Sequence, residues 1–161
     1  MPTRTNVSEV VVTGPGAPPI ATVDDLAGQE VFVRKGGIYE ESLLGLNAQL
    51  KARGKPAVVL NEAPAVLEDD DVLEMVNAGL VPITVVDDYL AEFWSKVFTG
   101  ISVHSDIAVR SGGSLAVAFR KDNPRLREVV NAWLQKHPKG DAFRNTIERP
   151  YLDSIKYAKN A

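Results

Sequence analysis

The sequence predicts an α/β fold, a three-layer open and mainly parallel sheet with helices on both faces. Short apolar runs rich in β-branched residues recur at Val31–Val33, Ala57–Leu60 and Ile83–Val86, the composition of buried strands. Stretches with helical apolar spacing follow: Leu43, Leu44 and Leu46 after the first, and Leu67, Val72, Leu73, Val76 and Leu80 after the second. A helix from Asp87 to about Val97 comes straight after the third. Three alternations of strand and helix argue for parallel strands joined by right-handed crossovers.

In chain order, Val10–Val12 is a strand candidate that Gly14-Pro15-Gly16-Ala17-Pro18-Pro19 cannot continue, because proline lacks the donor a central strand needs. Thr22 or Asp24 caps a single helical turn through Leu26, which Gly28 ends. After the strand Val31–Val33 come Gly36 and Gly37, then a helix from about Ile38 to Arg53 with Glu40 and Glu41 in its first turn, where acids suit the helix dipole. Gly54 and Pro56 stop it. The rhythm breaks after Val97. Ser102-Val103 and Ile107–Val109 read as short strand pieces, Ser111-Gly112-Gly113 as a turn and Leu115–Phe119 as another strand. Asn123-Pro124 opens a helix with an apolar stripe at Leu126, Val129, Val130, Trp133 and Leu134. Two short helical segments, around Asp141–Ile147 and Pro150–Ala158, close the chain.

Composition narrows the function. The 161 residues are 45% apolar and 24% charged, ordinary for a globular chain of one domain or one domain with an appendage. A net charge of −3 gives no basic footprint for nucleic acid. No cysteine is present, which excludes disulfides, thiolate metal sites and cysteine nucleophiles. The two histidines, His104 and His137, do not have metal-ligand spacing. No metal and no cofactor is therefore expected. No apolar run reaches the ~20 residues that cross a bilayer, and Met-Pro-Thr-Arg-Thr-Asn lacks the apolar core of a signal peptide, as a mature or excised segment also would.

Two places suit ligand chemistry. Gly36 and Gly37 sit between a strand and a helix start, where backbone N–H groups attract an anion, although any tight α/β connection has the same form. Asp87 ends the third strand on the same sheet edge, where open α/β sheets bind ligands; it would equally serve as a helix cap. An anion-accepting helix start beside a carboxylate fits a zwitterion such as an amino acid or a peptide end. Glu68-Asp69-Asp70-Asp71 lacks the alternation of a calcium loop and reads as a solvated helix start. His104 near Asp106 is weak material for acid–base chemistry, and Glu41-Ser42 lies inside a helix without supporting residues. There is neither a Gly-x-Ser-x-Gly elbow nor a Walker loop, and no catalytic residue is assigned.

Three blocks together resemble the family 3 extracellular solute-binding proteins, the amino-acid-binding class of type II periplasmic binding proteins. They are Asp25-Leu26-Ala27-Gly28-Gln29-Glu30-Val31-Phe32-Val33-Arg34-Lys35-Gly36, Gly79-Leu80-Val81 running through Val85-Val86-Asp87, and Arg120-Lys121-Asp122-Asn123-Pro124-Arg125-Leu126. Leu73–Leu80, Val86–Ala91 and Ala118–Asp122 are similar to a subgroup, the solute-binding module of membrane-bound lytic transglycosylase F type proteins. The resemblance covers about residues 10–137.

This resemblance implies two lobes around a cleft, of which the chain holds the second lobe, both crossovers and a late helix. Its parts would be a Pro/Gly-rich lead-in and crossover over 1–22, a solute-binding lobe over 23–105, a returning strand and late helix over 106–137, and a helical tail over 138–161 toward a downstream domain. Ligand contacts carried over from the family are Lys35, Gly36, Gly37, Ile38, Tyr39 and Asp87, with Asp87 on the ligand amino group. The family usually places Ser or Thr just after the glycine, where this chain has Gly37, Ile38 and Tyr39. The implied function is a sensor for an amino acid, short peptide or muropeptide, regulating a lytic transglycosylase domain outside this chain, in the periplasm or on the outer membrane facing it. The alternatives are the substrate-binding component of an amino-acid ABC transporter, partnered by a permease, and a small α/β enzyme using Asp87 or His104. Partners would be the small ligand, lobe one and the transglycosylase domain or permease, with no nucleic acid.

Overall fold

A computed structural model describes residues 1–64 and 66–155. Its strands are β1 (Pro2–Thr13), β2 (Glu30–Arg34), β3 (Val59–Ala63), β4 (Ile83–Asp87) and β5 (Ser102–Ala116). Its helices are α1 (Ile38–Ala52), α2 (Asp69–Asn77), α3 (Asp88–Trp94), α4 (Pro124–Lys136) and α5 (Ala142–Glu148), with a 3₁₀ turn at Val23–Leu26 and a π-helical turn at Arg149–Asp153. The rest of the closing helix expected to Ala158 lies outside the described residues beyond 155.

The sheet is mixed, in the order β3-β2-β4-β1-β5. β2 runs parallel to β3, from Glu30↔Val59 to Arg34↔Ala63, and parallel to β4 at Phe32↔Thr84. β1 pairs antiparallel with β4, from Glu9↔Asp87 to Thr13↔Ile83. The strand candidate at Val10–Val12 is thus the C-terminal end of a long interior strand, and residues 2–13 of the expected lead-in belong to the sheet. Two compact units result: Ser8–Ser111, and Met1–Val7 together with the residues from Gly112 onward.

In the larger unit, Val10, Val11, Val12, Val31, Val33, Ile83 and Val85 from the sheet are fully buried with Leu43 and Leu50 of α1 and Leu73 and Val76 of α2. Burying each such side chain contributes about 1.5–3 kcal/mol. β3 starts two residues later than the apolar run suggests. The Asn47 side chain accepts the Val58 N–H at 2.6 Å and donates to the Val58 carbonyl at 3.1 Å, so Val58 is paired with α1 and the ladder begins at Val59.

β5 is one strand, ending at Ala116, where the sequence suggests three pieces and a turn and an end at Phe119. Gly112, at φ +75°, absorbs the irregularity within the strand, a glycine's usual use at a bulge or bend. In the smaller unit, Asn123 caps α4 by accepting the Leu126 N–H at 3.2 Å, and Thr3 donates to the Leu115 carbonyl at 3.1 Å. Trp133, placed on an apolar stripe by its spacing, is only partly covered; it packs near the rings of His137 and Phe143, and His137 Nδ1 lies 2.7 Å from Asp141 Oδ2.

Candidate ligand site

The parallel strands β2, β3 and β4 end at Arg34, Ala63 and Asp87, and α1, α2 and α3 begin just beyond them. All of these lie in the larger unit. This is the strand-end edge at which open α/β sheets take ligands.

The residues of the first turn are placed as follows. Lys35 is exposed, with Nζ 2.6 Å from Glu62 Oε2, and that hydrogen bond raises its ammonium pKa. Gly36 has φ +70°, and its N–H donates to Glu40 Oε2 at 2.5 Å. The left-handed backbone explains the glycine. Gly37 caps α1 from an extended backbone, and an added Cβ would lie 3.2 Å from the Arg34 carbonyl oxygen. Ile38 is exposed. Tyr39, the next residue of α1, is buried, and its Oη accepts the Asp87 N–H at 3.2 Å. Burial pushes the Tyr39 phenol well above its ordinary value, so it stays neutral.

Tyr39 and Asp87 are therefore brought together, while Lys35, Gly36, Gly37 and Ile38 form the turn and start of α1. Asp87 is 9% exposed. Its carboxyl is pushed up to about 6, first by burial and then by the negative charges of Glu9 and Asp88; a hydrogen bond from Tyr89 acts in the opposite direction. Its neighbour Asp88 accepts the Ser8 N–H at 3.2 Å and the Tyr89 N–H at 2.7 Å. Burial likewise raises Asp69 at the start of α2, opposed by Arg34.

The acidic run at 68–71 is a helix start, as its composition suggests. The Glu68 N–H donates to Asp71 Oδ2 at 2.7 Å, and Glu68 Oε2 pairs with Arg34 at 2.9 Å. His104 is engaged by Thr13, with Nε2 2.9 Å from Oγ1. Among the described residues, no group of three or more His, Cys, Asp or Glu could hold a metal ion. Nor is any helix among them long and apolar enough to cross a membrane.

No family model matches the chain. Membrane-bound lytic murein transglycosylase F from Pseudomonas fluorescens is 34% identical over 127 residues, which are 79% of this chain and 25% of that protein. An ancestral arginine-binding protein bound to glutamine superposes with a TM-score of 0.69 at 20% identity, covering 94% of this chain and 62% of the other. The substrate binding protein of an amino acid ABC transporter gives a TM-score of 0.67 at 23% identity, covering 93% and 61%. The chain is thus similar over most of its length to part of a lytic murein transglycosylase F, and it shares the fold of amino-acid-binding proteins.

The chain spans about a quarter of the length of the curated relative it matches. Sequence reasoning missed Glu9, which is 6% exposed and stands directly opposite Asp87 in the β1–β4 ladder. The available signal was an acid at an alternate position with Val11 and Thr13 in an apolar strand, where a period of two places it on their face. Asp88 entered only as the neighbour of Asp87.

Proposed function

We propose that the module binds a small solute, an amino acid, short peptide or muropeptide, at the strand-end edge of its larger unit. In this reading it reports that ligand to a lytic transglycosylase domain in the periplasm or at the outer membrane. The observation that carries the reading is Asp87: a nearly buried carboxyl at the end of β4, held by its own N–H against Tyr39 of α1. An ionised carboxylate in such a position calls for a compensating cation, and a ligand amino group supplies one. Lys35, Gly36, Gly37 and Ile38 would face the rest of the ligand. For the Gly36 N–H to donate to a ligand carboxylate, Glu40 must first release it.

Transport is the second reading, favoured by the structural likeness to a substrate binding protein of an amino acid ABC transporter. A lysozyme-like domain in the same gene supports the sensor; a neighbouring permease gene supports transport. Catalysis through His104 is less favoured, since Thr13 already engages its ring.

The binding reading is tested by titrating amino acids, short peptides and muropeptides against the labelled chain and following backbone amides. Shifts should concentrate at Gly36–Tyr39 and Asp87 and vanish in Asp87→Ala. The absence of such shifts with all three classes refutes a site on this unit.

A further inference from the structure

We infer that Glu9 and Asp87 together form a two-carboxylate seat for an organic cation, a primary ammonium or a guanidinium group. The inference rests on the reading of Asp87 as a ligand contact and adds Glu9 and a ligand class to it.

The geometry is that of a cross-strand pair. Glu9 and Asp87 are direct partners in the antiparallel β1–β4 ladder, so their side chains share one face with Cβ atoms roughly 4.5–5.5 Å apart. The residues two positions further along, Val11 and Val85, are fully buried, so the pair stands at the end of an apolar floor. Glu9 is itself 6% exposed, and its Oε2 is buried with no hydrogen-bond partner. Its Oε1 lies 3.9 Å from the guanidinium of Arg110, a half-exposed side chain on β5, beyond hydrogen-bond reach. Asp88 at the start of α3 and Asp69 at the start of α2 add negative charge around Asp87. Tyr39 of α1 contributes a neutral hydroxyl, Tyr89 of α3 gives Asp87 a hydrogen bond, and Arg34 acts on Asp69.

A buried acceptor without a donor is a costly arrangement that native proteins resolve with a partner. A group with several N–H donors and a positive charge would satisfy Oε2 and neutralise the pair at once. The chemistry is that of a nitrogen cation, since these acids do not form a metal-ligand group. Nor does the seat require a ligand carboxylate beside the cation, because Glu40 holds the Gly36 N–H and Glu62 holds Lys35.

The experiment is calorimetric titration of the full chain near neutral pH and low salt with agmatine, which carries an ammonium and a guanidinium and no carboxylate. Four proteins are compared: wild type, Glu9→Gln, Asp87→Asn and, as a control for diffuse charge, Glu92→Gln, which removes an exposed acid of α3. Agmatine should bind wild type and Glu92→Gln alike and bind Glu9→Gln and Asp87→Asn at least roughly tenfold more weakly. Wild-type affinity in Glu9→Gln with loss in Asp87→Asn overturns the seat and leaves the Asp87 reading standing. The seat is overturned in the same way if agmatine fails to bind while amino acids or peptides still shift the Asp87 amide. Failure of every probe overturns both. Thermal melts check folding; Glu9→Gln should melt at or above wild type, because it removes a buried like charge. Should it not fold, Glu9→Asp keeps the charge but withdraws it by one methylene, and the same loss of agmatine affinity is expected.

Discussion

Two strand ends on the same sheet edge treat their polar groups in opposite ways. Beyond β2, Glu40 takes the Gly36 N–H, Glu62 takes Lys35 and Glu68 takes Arg34. Beyond β4, Asp87 faces Glu9, follows Val86 into the start of α3 beside Asp88, and is hydrogen-bonded by Tyr89, while the half-exposed Arg110 stands 3.9 Å from Glu9. The first end is satisfied internally. The second holds acceptors and negative charge in excess of donors, and a ligand therefore has most to contribute there. In the proposed site, the cation-binding half would be open, while the donors of the anion-binding half are taken by the protein's own side chains.

The largest effect should come from relieving the β4 end. Asp87 has a folded pKa of about 6, raised above its ordinary 3.8 mainly by burial. Its stabilising contribution is thus fully present below the unfolded value and is lost as pH rises through about 6. Discounted for the solvent that still reaches the carboxyl, this is worth about 1–2 kcal/mol. Asp87→Asn should be more stable than wild type at neutral pH by that amount and should lose this part of the pH dependence. Urea denaturation from mildly acid to neutral pH measures it; an unchanged pH profile would mean that the charge at the β4 end is already balanced.

The periodic elements were legible because local pattern and tertiary burial largely agree: Leu43 and Leu46 of α1 and Val72, Leu73 and Val76 of α2 face the core as their spacing requires, whereas Leu44 and Leu80, placed on the same stripes, are exposed. What the pattern could not show is long-range pairing. Nothing local extends Val10–Val12 back to Pro2 or fuses the pieces around Gly112, since both strands are defined by their partners in the sheet. The site divides along the same line. Asp87 was visible from its place at a strand end, whereas Glu9 acquires meaning only through its register with Asp87, 78 residues later in the chain. Glu40 looked like an ordinary first-turn acid and proves to be the acceptor that closes the Gly36 donor.

A smaller effect is expected from opening the β2 end. Glu40→Ala removes the acceptor of the Gly36 N–H and should cost about 0.5–1 kcal/mol. The Gly36 amide should move to a solvent-exposed chemical shift and exchange faster. Acetate should then perturb that amide in the variant and leave it unmoved in wild type. Perturbation of equal size in both would show that Glu40 does not compete with anions, and the two strand ends would differ less than their hydrogen bonds imply.

The smallest effect belongs to Lys35→Met. The Lys35–Glu62 pair is close at 2.6 Å, but both side chains are largely in water, where Coulomb attraction is weak and salt screens it further. The melting temperature should match wild type at low and at high salt. Binding separates the two strand ends more sharply than stability does. If Lys35 stays with Glu62, the variant binds carboxylate-bearing peptides as wild type does, and the β2 end is self-contained. If peptide affinity falls while agmatine affinity is unchanged, Lys35 has exchanged Glu62 for the ligand carboxylate. The β2 end would then be a site held closed by its own acids, and the excess charge beyond β4 would be one half of a two-ended clamp within this unit.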